Sequence, residues 1–249
     1  MPRQARKKSA SGIYHIVLRG INQQVIFEDE EDNNKFIETI KTYKAISGYK
    51  IYAYCLMSNH VHLLLKVEKE DLDLIIKRIA GSYVYWYNWK YHRRGHLFQD
   101  RFKSEPVEDD SYFLTVLRYI HQNPVKGNIV EDVEKYVFSS YNDYIEEETE
   151  LIDLDFVFSI ISKEDFIKLH KEENDDKCLD CDVHEFRLND TDARKIIQKV
   201  CKCTNTTEIQ TIEIEQRNKY IKKLKEKGLS IRQISRLTGI GKGIVERIS

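Results

Sequence analysis

The spacing of the apolar residues changes in a fixed order along the first half of the chain, and this order limits the possible folds more than any other feature. Alternating apolar residues predict half-buried strands, and a spacing of three to four predicts helices. The predicted elements are strands over 12–20, 50–57, 60–67 and 104–107, and helices over 33–47, 71–92 and 109–123, the last one ended by Pro124. The order strand, helix, strand, strand, helix, strand is that of a split βαβ unit. We therefore predict an α+β fold, a ferredoxin-like split βαβ sandwich of an antiparallel sheet and helices.

Charge is separated along the chain, although the net charge is only −1. Residues 77–103 contain seven basic residues and one acidic residue, residues 146–176 contain three and twelve, and residues 217–249 contain ten and two. Two basic blocks on either side of an acidic block predict two surfaces that face nucleic acid, although each block also fits a solvated face. The pattern divides the chain into a first domain over 1–145, an acidic helical connector over 146–185 and a basic, all-α domain over 186–249.

Composition excludes several classes of protein. No stretch approaches the roughly 18 consecutive apolar residues that a membrane span needs, and the basic start lacks the apolar core of a signal peptide. We therefore predict a soluble, cytoplasmic protein, a monomer or homodimer without a membrane partner. The five cysteines, an odd number, argue against a disulfide framework. Cys178, Cys181, Cys201 and Cys203 could join His184 in a zinc site, but their irregular spacing favours reduced thiols.

Two histidines, His60 and His62, are two positions apart in a predicted strand and therefore share one face of it. With Val61 in the core, the two histidines would stand about 7 Å apart at the backbone on the outer face, and their imidazoles could converge on one divalent cation. Tyr119 and Asn123 share one face of a predicted helix, because they are four positions apart. A phenol beside a cation can attack phosphorus, and an amide oxygen suits Mg²⁺ or Mn²⁺. Ordinary surface histidines and a packing tyrosine are the alternatives at this point.

Four segments resemble, in their order and spacing, the HUH single-tyrosine transposases. The segments are YHIVLRG, YCLMSNHVHLLLKV, GHLFQDRFKS and LRYIHQNPVKG. Within that group they are most similar to the REP-associated tyrosine transposases, which act on hairpin-forming single-stranded DNA. The resemblance covers about residues 10 to 145, a little over half of the chain.

The resemblance implies a role for each matching residue. His60 and His62 are metal ligands, Tyr119 is the nucleophile, and Asn123 is the third ligand, which Gln122 would replace if the helix register differed. A Mg²⁺ or Mn²⁺ cofactor and a transient 5′-phosphotyrosine link that leaves a free 3′-hydroxyl are also implied. The implied function is a metal-dependent single-stranded DNA endonuclease and strand transferase, a transposase that cleaves near DNA hairpins.

Basic residues next to aromatic ones are the candidate DNA contacts. Single strands bind to grooves that combine cations with stacking rings, and the predicted helix over 71–92 has six aromatic rings in its second half. We expect about half of these rings to pack against the sheet. The candidates for phosphate contacts are Arg93, Arg94, Arg101 and Lys103, together with an N-terminal arm of Arg3, Arg6, Lys7 and Lys8. Exposed charge without a DNA contact is the alternative for each of them.

The final segment, GLSIRQISRLTGIGKGIVERIS, has the spacing of a helix-turn-helix, with Ile234 and Leu237 buried and Gly239 at the turn. This domain is predicted to contact duplex DNA through Arg232, Arg236 and Lys242. Small three-helix domains that bind proteins share the same spacing. An alternative function is therefore a non-catalytic DNA-binding regulator that uses the helix-turn-helix. A replication-initiator or relaxase-like nickase is a third, disfavoured by the order of the four segments.

Overall fold

The computed structural model describes residues 6–99, 101–147, 149–179 and 190–248. The strands are β1 (Ile13–Arg19), β2 (Lys50–Met57), β3 (His60–Lys66) and β4 (Lys103–Pro106). The α-helices are α1 (Glu30–Ser47), α2 (Leu72–Lys90), α3 (Asp110–Lys126), α4 (Tyr141–Glu146), α5 (Leu154–Ile160), α6 (Lys163–Lys171), α7 (Asp190–Cys201), α8 (Ile214–Glu226), α9 (Ile231–Thr238) and α10 (Lys242–Arg247). No helix within these described ranges is long and apolar enough to cross a membrane.

The chain forms two compact units. The first lies within Met1–Ile26 and Glu31–Asp182, and the second within Phe27–Glu30 and Val183–Ser249. The first unit contains all four strands, and the second contains α7 to α10.

The four strands form one antiparallel sheet in the spatial order β2-β3-β1-β4. β1 pairs with both β3 and β4, and β2 pairs with β3. β1 and β2 are therefore parallel to each other with β3 between them, which is the split βαβ arrangement. The predicted fold class is confirmed, and each predicted boundary up to α3 lies within three residues of the observed one.

Both faces of the sheet are covered. Six of the seven residues of β1 are buried, which a strand with one solvated face would not show. One face carries α3, whose Tyr119 ring centroid lies 5.8 Å from that of His62. The crossover helices α1 and α2 lie on the other face, because right-handed βαβ connections place them on the same side. They contact each other through Phe36 and Tyr83, whose ring centroids are 5.0 Å apart.

The aromatic second half of α2 is divided between core and surface, as its pattern predicts. Tyr83 and Tyr87 are buried, and their hydroxyls donate to main-chain carbonyls of the loop before α1. Tyr85 and Trp89, four positions apart, are 80% and 72% exposed. Two flat apolar rings therefore lie side by side at the surface of the helix.

Helix α3 continues past Pro124 to Lys126, so the prediction that this proline ends the helix is wrong. A proline removes one main-chain donor and disturbs the preceding turn, which breaks a helix most severely in its middle. Pro124 is buried within the last turn, where little helix follows it. The helix ends at Gly127, whose N–H donates to the Asn123 carbonyl at 2.8 Å.

Residues 136–147 and 149–153 run along the outer edge of β2. Their main-chain hydrogen bonds to the strand join Leu56 N–H to the Phe138 carbonyl (2.9 Å), Ser140 N–H to the Tyr54 carbonyl (3.0 Å) and Asp153 N–H to the Ile51 carbonyl (2.7 Å). The Tyr136 and Tyr144 hydroxyls donate to further carbonyls of β2. These residues therefore occupy main-chain groups that an edge strand would otherwise expose.

The described part of the predicted acidic connector folds against α3 in the first unit. Arg118 Nε donates to the Asp176 carboxylate at 2.8 Å, and Gln122 Nε2 donates to the His170 carbonyl at 2.8 Å. Two acidic residues of this part, Glu172 and Asp176, pair with Arg118 of α3. The three predicted domain boundaries stay predictions.

A pair of histidines, His121 and His170, joins α3 to α6. His121 Nδ1 lies 2.9 Å from His170 Nε2, and His121 Nε2 lies 2.8 Å from the Ser140 hydroxyl. His170 Nδ1 donates to the Phe166 carbonyl at 2.8 Å, so its Nε2 must accept from His121. Burial lowers the pKa of both rings, that of His170 to about 4. Both imidazoles are therefore neutral in the folded chain near pH 7.

The second unit has a small helical core of its own. Gly239 ends α9 with a φ of +73°, and a Cβ at this position would overlap the side-chain amide of Gln210, so only glycine fits the turn to α10. Ile234 and Leu237 are buried as predicted. The core comprises Ala193, Ile197, Cys201, Ile209, Ile221, Leu224, Leu229, Ile234, Leu237, Ile240 and Val245.

We expect the His121–His170 pair to make the first unit less stable in acid. Unfolded histidines take up a proton near pH 6.5, whereas burial lowers the folded pKa of His170 to about 4. Between these values the unfolded state binds more protons, so stability falls as the pH is lowered through this window. For His170 the loss is on the order of 3 kcal/mol at pH 4. Thermal unfolding followed by circular dichroism from pH 7.5 to pH 4 measures it.

The variant His170→Gln is the control for this experiment. It lacks the titrating ring, so its unfolding temperature should be lower than that of the wild type at pH 7.5 but should change less on acidification. An equally steep pH dependence in the two proteins would show that other groups cause the acid sensitivity.

Candidate active site

His60 and His62 extend from β3 toward α3. Their ring centroids are 5.0 Å apart, and the two residues are only 6% and 0% exposed. The predicted outer face is therefore not open to solvent, because α3 covers it, and that part of the prediction is wrong. His60 Nδ1 lies 2.6 Å from the Asn59 side-chain oxygen. Val61 is buried, as predicted.

Tyr119 lies beside these histidines, on the side of α3 that faces the sheet. Its ring centroid is 5.8 Å from that of His62 and 6.0 Å from that of His15, in edge-on geometry. The Lys126 ammonium lies 5.1 Å from the Tyr119 ring centroid and places positive charge beside the phenol. The structure thus brings the predicted nucleophile into contact with a predicted ligand.

Asn123 and Gln122 differ in what their amides already bind. The Asn123 Nδ2 donates to the Tyr119 carbonyl one turn earlier at 3.1 Å, which leaves its oxygen as the group for a cation. The Gln122 amide donates to the His170 carbonyl and accepts from Asn174 Nδ2 at 2.7 Å. Gln122 therefore attaches α3 to the segment after α6, and its role as a replacement ligand is not supported by these contacts.

Two residues of this cluster, His15 and Glu105, are absent from the predicted site. His15 Nε2 lies 2.9 Å from His62 Nδ1, and its Nδ1 lies 3.0 Å from the Glu105 carboxylate. The register explains the contact, because His15 pairs directly with Glu105, and Val17 pairs with His62. His15 is thus a diagonal neighbour of His62 on the same face of the sheet. A histidine on the alternating face of β1 is the signal that the sequence offers.

The protonation of this cluster suits a cation. Burial first, and then the neighbouring His60 and His15, lower the pKa of His62 well below its ordinary value, so the ring is neutral and has a lone pair. Its Nε2 is buried and has no hydrogen-bond partner among the residues that the structure describes. Burial alone would raise the pKa of Glu105, but hydrogen bonds from His15 and the Leu179 N–H lower it. A buried imidazole nitrogen with an available lone pair can serve as a metal ligand.

The donor set is small. The described ranges contain no cluster of three or more histidine, cysteine, aspartate or glutamate side chains that could hold a metal. The candidate donors here are two imidazoles and one amide oxygen, a set that fits a hard divalent cation with open coordination positions.

The basic candidates of the first unit are partly engaged in internal contacts. The Arg93 guanidinium lies 5.5 Å from the Tyr87 ring centroid and donates to the Gln24 side chain at 3.1 Å. Arg101 is exposed and pairs with Asp73 at 3.6 Å. The structure thus gives Arg93 a packing role, whereas two further candidates, Arg94 and Lys103, are exposed.

The N-terminal arm is similarly mixed. Arg3 lies outside the described residues. The Arg6 guanidinium stacks on the Phe102 ring at 3.5 Å from its centroid, whereas Lys7 and Lys8 are exposed. Arg6 therefore attaches the arm to the segment before β4.

In the second unit, Arg232 and Lys242 are exposed, on α9 and α10. Arg236 differs from them, since its guanidinium donates to Glu28 and, at 2.7 Å, to Asp190. Burial alone would lower the pKa of Arg236, but the two carboxylates raise it. The guanidinium stays protonated, and its positive charge is compensated by carboxylates of the same unit. Arg236 is thus a poorer candidate for a phosphate contact than the other two.

Burial favours the protonated thiol at two of the described cysteines, Cys178 and Cys201. Burial raises the pKa of Cys178 and of Cys201 to about 12, and thiolates are the form that binds zinc. Cys181 and His184 lie outside the described residues, so the zinc interpretation of this segment stays open.

Fold and cluster together define a class of domain: a split βαβ sandwich in which two strand histidines and one helix tyrosine lie side by side. Residues 8–123 match the family model described as "Transposase IS200 like". These residues, a little under half of the chain, are therefore similar to the IS200-like transposases, and the predicted resemblance is confirmed for them. The matched residues contain β1 to β4 and the helix that carries Tyr119.

Two known proteins are similar to parts of this chain. A Haemophilus influenzae protein named "Putative REP-associated tyrosine transposase" is 28% identical over 106 residues, 38% of this chain and 60% of that protein. The chain thus spans less than two thirds of this curated relative. The solved structure of a REP-associated tyrosine transposase bound to a REP hairpin superposes with a TM-score of 0.50 at 17% identity. It covers 59% of this chain and 86% of the solved one, and it shows the shared fold.

We expect His60→Ala and His62→Ala each to weaken the binding of Mn²⁺ by at least about tenfold, because each removes one of few donors. Isothermal titration calorimetry of the purified protein measures the affinity. His96→Ala, which changes an exposed histidine, is the control and should bind as the wild type does. Unchanged affinity in both site variants would show that the pair is structural.

Proposed function

We propose that the chain is a transposase that cleaves and rejoins single-stranded DNA beside hairpins through Tyr119, with Mg²⁺ or Mn²⁺ as cofactor. The observation that carries the proposal is the contact of Tyr119 with His62 inside residues that match the IS200-like transposase family. A phenol and imidazole nitrogens in one cluster are the groups that transfer of a phosphoryl group to a side chain requires.

His60, His62 and Asn123 would hold the cation. The buried His62 Nε2 and the Asn123 oxygen supply neutral donors, which leave positions for the oxygens of a phosphate. When bound, the cation supplies Lewis acidity that polarises the scissile phosphate. The contact of His62 with Tyr119 keeps the nucleophile next to that position.

The proposed reaction exchanges one phosphate ester for another. The Tyr119 oxygen forms a bond to phosphorus and loses its proton, while the bond from phosphorus to the 3′-oxygen breaks and that oxygen leaves as a 3′-hydroxyl. The resulting 5′-phosphotyrosine link preserves a phosphodiester, so a 3′-hydroxyl can later displace the tyrosine and rejoin a strand. The Lys126 ammonium, 5.1 Å from the ring centroid, lies where it can stabilise negative charge on the phenol.

Two observations support a hairpin-bearing single strand as the substrate. A transposase bound to a REP hairpin has the same fold as the first unit. The exposed pair Tyr85 and Trp89 offers flat rings on which unpaired bases can stack, and Arg94 is an exposed cation in the loop that follows α2.

We expect Tyr119→Phe to abolish the covalent protein–DNA adduct and to change hairpin affinity by no more than about twofold, because only the nucleophilic oxygen is lost. Labelled hairpin oligonucleotides incubated with protein and Mn²⁺ would be separated on a denaturing gel, and their binding would be measured by fluorescence anisotropy. Tyr85→Phe, at an exposed tyrosine, is the matched control and should form the adduct as the wild type does.

Two other outcomes of this experiment would contradict the proposal. An undiminished adduct in Tyr119→Phe would place the nucleophile on another tyrosine. Tight hairpin binding by a wild type that forms no adduct would favour the alternative function, a non-catalytic DNA-binding regulator.

We further propose that the second unit binds duplex DNA through α9 and α10. Arg232 and Lys242 are exposed on these helices, and the core beneath them is closed by Ile234, Leu237 and Val245. A compact basic helix pair of this kind favours contacts with phosphates.

We expect Arg232→Ser combined with Lys242→Ser to weaken duplex binding and to make it less dependent on salt. Each lost phosphate contact lowers the slope of log affinity against log salt by about 0.9, so the double variant should lose about two. Lys135→Ala combined with Lys168→Ala is the control, because both lysines are exposed and paired with carboxylates in the first unit. An identical slope in wild type and double variant would show that this surface does not bind DNA.

A further inference from the structure

We propose that His15 and Glu105 are positioning residues that hold His62 in the one tautomer able to bind a cation. The inference rests on the metal site proposed above. The three side chains come from three neighbouring strands and form a continuous series of hydrogen bonds, 3.0 Å from Glu105 to His15 and 2.9 Å from His15 to His62. The series ends at the buried Nε2 of His62.

The direction of each hydrogen bond follows from the need for a lone pair at the end of the series. A cation needs the lone pair of His62 Nε2, so the single proton of this neutral ring must be on Nδ1. Nδ1 then donates, and the atom at hydrogen-bond distance is His15 Nε2, which must accept. His15 accordingly carries its own proton on Nδ1, where the Glu105 carboxylate accepts it.

The opposite arrangement fails on the same contacts. If His15 Nε2 donated to His62 Nδ1, His62 would carry its proton on Nε2, a buried atom without an acceptor. His15 would then also need a second proton to satisfy Glu105, which would place an imidazolium at a fully buried position. A carboxylate at the start of the series avoids both costs, because it accepts only.

The surroundings hold the series in place. The centroids of the His15 and His62 rings are 5.2 Å apart, as their edge-to-edge hydrogen bond requires, and both residues are 0% exposed. The same Glu105 oxygen also accepts from the Leu179 N–H at 2.9 Å, which is a second anchor for the carboxylate. Such outer hydrogen bonds typically change metal affinity by about 10- to 100-fold.

The test uses the full chain and two measurements. Long-range ¹H–¹⁵N spectra of the metal-free protein report which nitrogen of each histidine is protonated, and His62→Ala assigns the His62 signals. Mn²⁺ affinity is measured by calorimetry for the wild type, His15→Phe, His15→Gln and Glu105→Gln. His15→Phe keeps a ring without an acceptor, whereas the terminal oxygen of His15→Gln can reach the position of Nε2 and accept.

We expect His62 to be protonated on Nδ1 in the wild type. His15→Phe should bind Mn²⁺ about 10- to 100-fold more weakly and lose this tautomer preference, Glu105→Gln should show a smaller loss, and His15→Gln should recover most of the affinity. Wild-type affinity and an unchanged tautomer in His15→Phe would overturn the proposal. Equal losses in His15→Phe and His15→Gln would also overturn it, since packing alone would then explain them.

Failure of the metal site and failure of the positioning role give different results. A wild type that binds no Mn²⁺ contradicts the proposed cofactor, whereas a wild-type His62 protonated on Nε2 contradicts the series itself. If His15→Phe does not fold, the wild-type tautomer and Glu105→Gln decide between these outcomes.

Discussion

Imidazole rings buried between the sheet and α3 impose the constraint on which the rest of the first unit depends. A neutral imidazole has one donor and one acceptor, and burying either without a partner costs free energy. His15 meets this requirement at both nitrogens through His62 and Glu105, and His62 meets it at Nδ1 through His15. Their contacts exist only in the observed register of β1, β3 and β4, because a slip of one residue would turn every side chain to the other face. The register of the sheet therefore determines the geometry of the site.

Most of the fold could be predicted from the sequence, because its elements are long and strongly periodic. His60, His62 and Tyr119 could also be predicted as site residues, since strand and helix spacing place them on definite faces. His15 and Glu105 were not, because they are 90 positions apart and meet only through strand pairing. The period of a strand also does not reveal whether a later helix covers its outer face, which is why the histidines are buried.

The two buried histidine pairs of the first unit differ in how many of their ring nitrogens have hydrogen-bond partners. In the pair His121 and His170, all four ring nitrogens have partners, and nothing remains for a ligand. In the pair His15 and His62, three nitrogens have partners, and the fourth has none within the described part of the chain. The pairs are alike in residue type and burial, so the hydrogen-bond inventory alone distinguishes a structural contact from a ligand.

The segment that lies along β2 has a consequence for assembly. A strand at the edge of a sheet normally offers its main chain to another molecule, as in β-augmentation and in edge-to-edge aggregation. Here the main chain of β2 already bonds to later residues of the same chain, namely Tyr136, Phe138, Ser140, Tyr144 and Asp153. Continuation of the sheet from this side would require displacing those bonds. Any second copy that extends the sheet therefore has the short strand β4, at the opposite edge, as its point of attachment.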